Sequence, residues 1–277
     1  MTFKLKDFNQ NGVAWPFKIN GISSELENEY NKFQDKAIKT LGHPVTLKPN
    51  LLSTFFDSFL DHPSILPKVK ELIGENIYVW SSAFFPKTAG DGKFISFHQD
   101  NPYWQLSNDK VVTVWIALTR SDESNGALQL VPKSHKIGII NNLDVENSRE
   151  SYLQSIKTTS KNDLLSFNQN LDKFMIDNPA HAVILNPGEF SIHHLNTVHG
   201  SDINKSKKNR IGFAIRYISS ESQHVEVNED WAIHISGKKN NFYKNEKRPV
   251  SDFDLDSINQ NKLSSNSTGV FGNKKYS

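Results

Sequence analysis

With 277 residues, 36% of them hydrophobic, the chain has the size of one all-β domain carrying extra helices, and its 18 Phe, 7 Tyr and 5 Trp suffice for a buried core and exclude global disorder. The absence of cysteine excludes a disulfide scaffold, thiolate zinc, iron–sulfur ligation and a cysteine nucleophile, so any metal must sit on His, Asp or Glu. A net charge of +2 excludes the broad basic face of a nucleic-acid binder and favours a small-molecule partner.

The opening Met1-Thr-Phe-Lys-Leu-Lys-Asp7 lacks the apolar run of a signal peptide, and no stretch approaches the ~18 apolar residues of a membrane span, so a cytoplasmic protein without membrane attachment is expected. Ser24-Glu-Leu-Glu27 has the form of a capping box. After it, Leu26, Tyr30, Phe33, Ala37 and Leu41 recur at helical spacing and predict an amphipathic helix. A second helix is predicted over Ser64–Ile73, stopped by Gly74.

From Asn76 the texture changes to short β-branched and aromatic runs separated by Gly, Pro and Asn. Strands are predicted at Tyr78–Phe85, Phe94–Asp100, Val111–Thr119, Ala127–Val131, Ala182–Leu185, Glu189–His194 and Arg210–Ser219. Without βαβ alternation these imply a mainly β sandwich or jelly roll with the N-terminal helices packed on one face. The expected organisation is one domain over residues 1–251, with its core at about 76–220. A polar insertion at 138–178 reads as a lid, and 252–277 as a poorly ordered polar tail.

His98-Gln-Asp100 ends a predicted strand, and period two puts both ligand-type side chains on one face. The spacing alone is weak evidence, because His224-Val-Glu226 repeats it; that second pair reads as surface strand residues. The first pair gains from Ser191-Ile-His193-His194-Leu-Asn-Thr-Val-His199, which supplies a third imidazole from a later strand. Two imidazoles and one carboxylate make the facial set of a non-haem Fe(II) site with open positions. One member of the adjacent His193-His194 pair must point away from the interior. Arg210 opens the strand Arg210-Ile-Gly-Phe-Ala-Ile-Arg216-Tyr217, where an inward guanidinium suits a bidentate hold on a carboxylate.

Together, His98-Gln99-Asp100-Asn-Pro-Tyr103-Trp104, Val114-Trp115-Ile-Ala-Leu-Thr119, Asn125-Gly126, Val131-Pro132-Lys-Ser134-His135, His199-Gly-Ser201-x-x-Asn204-x-Ser206 and Arg210 resemble the phytanoyl-CoA dioxygenase-like family of Fe(II)/2-oxoglutarate-dependent oxygenases. The resemblance runs from about Phe8 to Ser219 and is strongest to its bacterial branch acting on small polar metabolites. It implies a cupin-like double-stranded β-helix, with Fe(II) on His98, Asp100 and His199 and the distal carboxylate of 2-oxoglutarate on Arg210. It further implies cosubstrate contacts from Gln99 and Ser201, a pocket position for Trp115 and Trp80, and a basic residue near the site at Lys48. The related halogenating branch replaces the carboxylate ligand with a small residue. Asp100 is present, so hydroxylation with O2, or another oxidation of the same kind, with release of succinate and CO2 is expected in place of halogenation.

For the substrate, Tyr103 and Trp104 can form an aromatic wall, and Lys87, Asn101, His193 and Arg216 can present donors to an anionic group, which suggests an amino acid, carboxylate or aminophosphonate. Two rival readings stay open: a metal-dependent hydrolase on the same triad, and a non-catalytic jelly-roll module that binds a small molecule. Sequence does not fix the oligomeric state.

Overall fold

The computed structural model describes residues 2–22, 25–140, 162–165 and 171–267. Eleven strands form two sheets. They are β1 (Val13–Lys18), β2 (Ile77–Lys87), β3 (Ile95–His98), β4 (Val111–Ala117), β5 (Gln129–Leu130), β6 (His181–Ala182), β7 (Glu189–His194), β8 (His199–Ser201), β9 (Arg210–Ser219), β10 (Asp230–Ser236) and β11 (Tyr243–Asn245). The larger sheet runs β1-β7-β4-β9-β2-β10-β11 and the smaller β3-β8-β5-β6. Within β2 to β9 the chain passes repeatedly from one sheet to the other, the winding of a double-stranded β-helix, or jelly roll. The expected mainly β, cupin-like fold is therefore present.

Burial follows strand parity. On β4, Val112, Val114 and Ile116 face outward into a helix-covered core, while Val111, Thr113 and Trp115 face the space between the sheets. On β9, Ile211, Phe213, Ile215 and Tyr217 join the outer core, and the alternate residues Arg210, Ala214 and Arg216 line the interior. A strand buried on both faces accounts for the near-continuous apolar character of β4.

Besides the short helices α1 (Phe8–Asn11) and α6 (Asp172–Asp177), the chain carries α2 (Leu26–Leu41), α3 (Thr54–Asp57) and α4 (Leu66–Ile73), which close the outer core in agreement with helices on one face. In α2, Leu26, Phe33 and Ala37 are the buried stripe, and Gly42 ends it at φ 82°, a left-handed position open to glycine at no steric cost. Ser24 of the expected capping box lies outside the described residues. Phe56 is the hub of an aromatic cluster, with Phe33, Phe59, Phe84 and Phe213 at ring-centroid distances of 5.5, 6.3, 4.7 and 5.4 Å.

Three corrections apply. Strands β1, β10 and β11, absent from the expected strand series, extend the larger sheet on its two sides. Residues 255–267 form α7 (Leu255–Ser267) instead of a disordered tail: Ile258 is buried, and the Asn261 amide donates to the Leu47 and Lys48 carbonyls. His224 is buried and forms an isolated antiparallel β-bridge with Leu106, in place of the expected surface strand. Most of the insertion at 138–178 lies outside the described residues. Its residues 162–165 pair beside Phe94, with Phe94 N–H donating to Asn162 O and Leu164 N–H to Phe94 O at 3.0 and 2.9 Å.

Removing the hub ring leaves a cavity that the surrounding aromatics cannot fill. Phe56→Ala is expected to lower the free energy of unfolding by about 3–5 kcal/mol, read from urea denaturation midpoints at unchanged m-value.

Candidate active site

The three ligand-type residues converge because β3 and β8 are antiparallel neighbours with His98 directly opposite His199. Their rings lie 4.1 Å apart by centroid, and Asp100 Oδ1 is 3.6 Å from His98 Nε2 and 4.0 Å from His199 Nε2. One ligand atom from each of the three falls within 4.8 Å of the others. Among the described residues this is the sole cluster of three or more such groups.

The backbone fixes the tautomers. His98 Nδ1–H donates to Ser96 O at 2.8 Å and His199 Nδ1–H to Thr197 O at 2.9 Å. A carbonyl only accepts, so the proton sits on Nδ1 in both rings and each Nε2 lone pair is left for a cation. Burial, reinforced by His98, pushes His199 down to about 4, which keeps it neutral at physiological pH. Burial works against ionisation of Asp100, but His199, His98 and Arg216 outweigh it and hold the carboxyl well below its usual range. The Asp100 side chain makes no capping bond to α5 (Asn101–Trp104), the short helix it precedes. Ser134 steadies the approach to His199 by accepting from Val198 N–H and donating to Val131 O.

A cavity of about 170 Å3 opens from the triad into the space between the sheets. At one end stands Arg210, 2% exposed, with Nη1 donating to Phe85 O at 3.0 Å, its Nε without a hydrogen-bond partner, and no carboxylate paired with it among the described residues. Burial lowers its pKa to about 10, partly offset by Asp91. Its guanidinium lies 5.5 Å from the Trp115 ring centroid. Gly212 makes that placement possible, since a Cβ there would fall 2.0 Å from Trp115 Cζ2.

Behind Arg210, Lys87 is its direct neighbour across β2 and β9. Lys87 Nζ donates to Ser201 O at 2.9 Å, to Ser201 Oγ at 2.6 Å and to Asp202 O. Burial and the nearby Arg210 lower its pKa to about 7. Asn204 ties the β8–β9 connection to the same strand by donating to Lys87 O and Lys208 O. The Asn204 and Ser206 positions that carried the family resemblance thus shape this turn.

Of the residues expected at the site, His98, Asp100, His199, Arg210, Ser201, Trp115, Tyr103, Trp104, His193 and Arg216 all line the cavity. Five do not. Gln99 points away and staples the loop before the insertion, donating to Gly138 O and Asn196 O and accepting from Ile140 N–H. Lys48 is buried in an ion pair with Glu246 at 2.5 Å. Trp80 sits one layer back, its Nε1–H on Asp230 Oδ2 and its ring edge-on to Trp104 at 5.6 Å. Lys87 serves the β8 carbonyls, and Asn101 caps no part of the wall. His194 points outward, toward Asp109 and His135. Sequence reasoning missed Thr113, Phe85, Leu164 and Leu165, which also line the cavity. Thr113 carried a signal: it is the one polar residue in Val111-Val-Thr-Val-Trp-Ile-Ala117 and has the parity of Trp115.

Residues 24–212 match the family Phytanoyl-CoA dioxygenase (PhyH). Among curated proteins, a probable alpha-ketoglutarate-dependent hypophosphite dioxygenase of Stutzerimonas stutzeri is 26% identical over 73% of this chain and 66% of its own length. An ectoine dioxygenase of Halomonas elongata is 26% identical over 63% of this chain and 53% of its own. The chain thus spans between half and two-thirds of these relatives. Among solved structures, the nickel complex of the non-heme monooxygenase ThoJ superposes with a TM-score of 0.73 at 25% identity, covering 95% of this chain and 96% of that one. CytC3 with Fe(II) and alpha-ketoglutarate gives a TM-score of 0.60 at 25% identity, covering 87% and 91%.

If the triad is a cation site, Asp100→Ala and His199→Ala should each abolish stoichiometric Fe(II) uptake in anaerobic equilibrium dialysis while circular dichroism stays unchanged.

Proposed function

The chain belongs to the phytanoyl-CoA dioxygenase family, and from that premise we propose that it is an Fe(II)- and 2-oxoglutarate-dependent oxygenase hydroxylating a small polar metabolite. The observation that carries this reading is a buried guanidinium with no carboxylate paired to it among the described residues, set at one end of a cavity whose other wall is a ligand-ready His-Asp-His triad. A hydrolase on the triad has no use for Arg210. A simple binding module has no use for two aligned Nε2 lone pairs.

His98 Nε2, His199 Nε2 and an Asp100 oxygen would hold ferrous iron, leaving open positions. When bound, iron and 2-oxoglutarate supply the oxidising power: O2 gives one oxygen atom to a substrate C–H, making C–OH, and the other to succinate, as 2-oxoglutarate loses CO2. The residues of the chain bind and orient. Arg210 offers Nε–H and its remaining guanidinium protons to the far carboxylate, and Trp115 holds the guanidinium plane from one side. Ser201 is fixed by Lys87 at the same end. Tyr103, Trp104, Phe85 and Leu164 wall the cavity with apolar surface and exclude water.

A small substrate agrees with the cavity volume of about 170 Å3 and with the compact molecules for which the two curated relatives are named. The balanced charge speaks against nucleic acid as substrate. Among the described residues no helix is long and apolar enough to cross a membrane, and a cytoplasmic location matches the supply of 2-oxoglutarate. Of the insertion at 138–178, the described residues Leu164 and Leu165 sit on the cavity wall, which supports reading it as a lid.

The test is succinate release from 2-oxoglutarate with Fe(II), ascorbate and air over a panel of amino acids, aliphatic acids and aminophosphonates. Substrate-stimulated succinate is expected, with none from Asp100→Ala; absence of both succinate and 2-oxoglutarate binding would overturn the assignment. Arg210→Ala should raise the KM for 2-oxoglutarate about 10- to 100-fold, because a charge-assisted pair is lost while the iron ligands remain. Lys87 adds positive charge beside Arg210 only while protonated. With its pKa lowered to about 7, 2-oxoglutarate affinity should be highest below that pH and fall as pH rises through it. Lys87→Met should flatten the dependence, read by calorimetric titration between pH 6 and 8.5.

A further inference from the structure

Four strands of the larger sheet carry one continuous row of inward polar side chains next to the triad. Ser81 on β2 pairs directly with Arg216 on β9, Arg216 with Thr113 on β4, and Thr113 with His193 on β7. Directly opposed residues share a face, so all four point into the interior. All four are buried. Ser81 Oγ, Thr113 Oγ1 and both ring nitrogens of His193 have no hydrogen-bond partner among the described residues. Buried polar groups in native structures are nearly always paired, so three unpaired side chains in one row are unusual unless a ligand completes them.

The row is distinct from the Arg210 end. Arg216 and Arg210 lie six residues apart on β9, about 20 Å along an extended strand. The Ala83-Ala214-Trp115-Ser191 and Phe85-Gly212-Ala117 rows separate them. Asp100 feels the charge of Arg216, and the His193 ring is 4.8 Å from His199. The row therefore borders the metal position directly. Arg216 also lies against the Phe85 and Trp104 rings, at 5.8 and 5.5 Å, so its charge is held in place over an apolar wall.

We propose that the Ser81-Arg216-Thr113-His193 row seats the anionic head of the substrate, a compact oxyanion on a short apolar chain, while Arg210 keeps the cosubstrate. Thr113 and His193 supply directional hydrogen bonds and Arg216 the charge. Tyr103, Trp104 and Phe85 receive the apolar chain. This rests on the oxygenase reading above and deepens it.

The experiment titrates anaerobic protein loaded with Fe(II) and 2-oxoglutarate with butyrate, propylphosphonate, butyramide and n-butylamine. Binding is followed by tryptophan fluorescence and by perturbation of the visible iron-to-2-oxoglutarate charge-transfer band. Butyrate or propylphosphonate should bind at least ten times more tightly than butyramide, and n-butylamine not at all; the tighter of the two anions identifies the oxyanion. Thr113→Val and His193→Gln should each weaken the anion about tenfold and leave butyramide affinity and the band formed with 2-oxoglutarate unchanged. Equal affinities for butyrate and butyramide with the band intact would overturn the subsite and spare the oxygenase reading. So would variants that weaken 2-oxoglutarate in place of the probes, since the row then belongs to the cosubstrate. A wild-type protein that forms no band at all removes both.

Discussion

The interior of this jelly roll is organised around keeping two guanidinium groups, Arg210 and Arg216, out of water on one strand. Burying a charge is costly unless something nearby compensates it, and a cation held without a partner is destabilising by several kcal/mol in general. The fold lowers that cost locally. Arg210 has the Phe85 carbonyl and the face of Trp115, and Arg216 has two aromatic faces and the Asp100 charge. What remains uncompensated at Arg210, its Nε–H, is the basis of the cosubstrate role proposed for it. A native structure that tolerates this cost directs the strain at a ligand.

The triad has the opposite character, with every orientation settled before a ligand arrives. His98 and His199 face each other across a strand pair, and each ring is locked by the carbonyl two residues upstream in its own chain. This local bond needs no distant partner and survives side-chain changes elsewhere. The supports of the second imidazole come from farther away. Thr197 Oγ1 donates to Gly12 O, Val198 N–H donates to Ser134 Oγ, and the Lys87 ammonium binds the chain two residues after His199. Gly126 belongs to the same arrangement: a Cβ there would lie 2.3 Å from Asp202 O, so the close approach of that turn requires glycine.

The features legible in the sequence were those governed by period. Alternation placed Arg210 and Arg216 on one face of β9 and His98 with Asp100 on one side of their segment, and the 3.6-residue repeat of Leu26, Phe33 and Ala37 marked α2. The residues that went astray were assigned by position along the chain, without a periodic argument. Trp80 falls at a register shift between Val79 and Ser81, and its indole packs behind Trp104. Lys48 is neutralised by Glu246, almost 200 residues downstream, a partner that no local pattern reveals. Gln99 lies between two ligands in sequence, yet strand parity turns it to the opposite side, where it braces the start of the insertion. Alternation, applied to it as it was to His98 and Asp100, gives that direction. The outer strands β1, β10 and β11 are short or irregular, and their pairing depends on tertiary neighbours more than on composition.

The same alternation sets the volume of the cavity. Outward positions of β9 are large, Ile211, Phe213, Ile215 and Tyr217, and they fill the core beneath the helices. Between the two arginines the inward positions are Gly212 and Ala214, the smallest side chains available. Gly212 gives its space to the Trp115 indole, and Ala214 leaves its space to the cavity. Large residues at these two positions would fill the interior with packed side chains, as in the jelly rolls whose barrels are solid. In one stretch, Arg210-Ile-Gly-Phe-Ala-Ile-Arg216, the strand therefore encodes the core on one face and, on the other, two charged ends with an opening between them. The rise of the strand sets the backbone positions of those ends about 20 Å apart, and both side chains reach back into the one cavity between the sheets. The cosubstrate carboxylate proposed at Arg210 and the substrate head proposed beside Arg216 thereby draw on two separate charges of one strand.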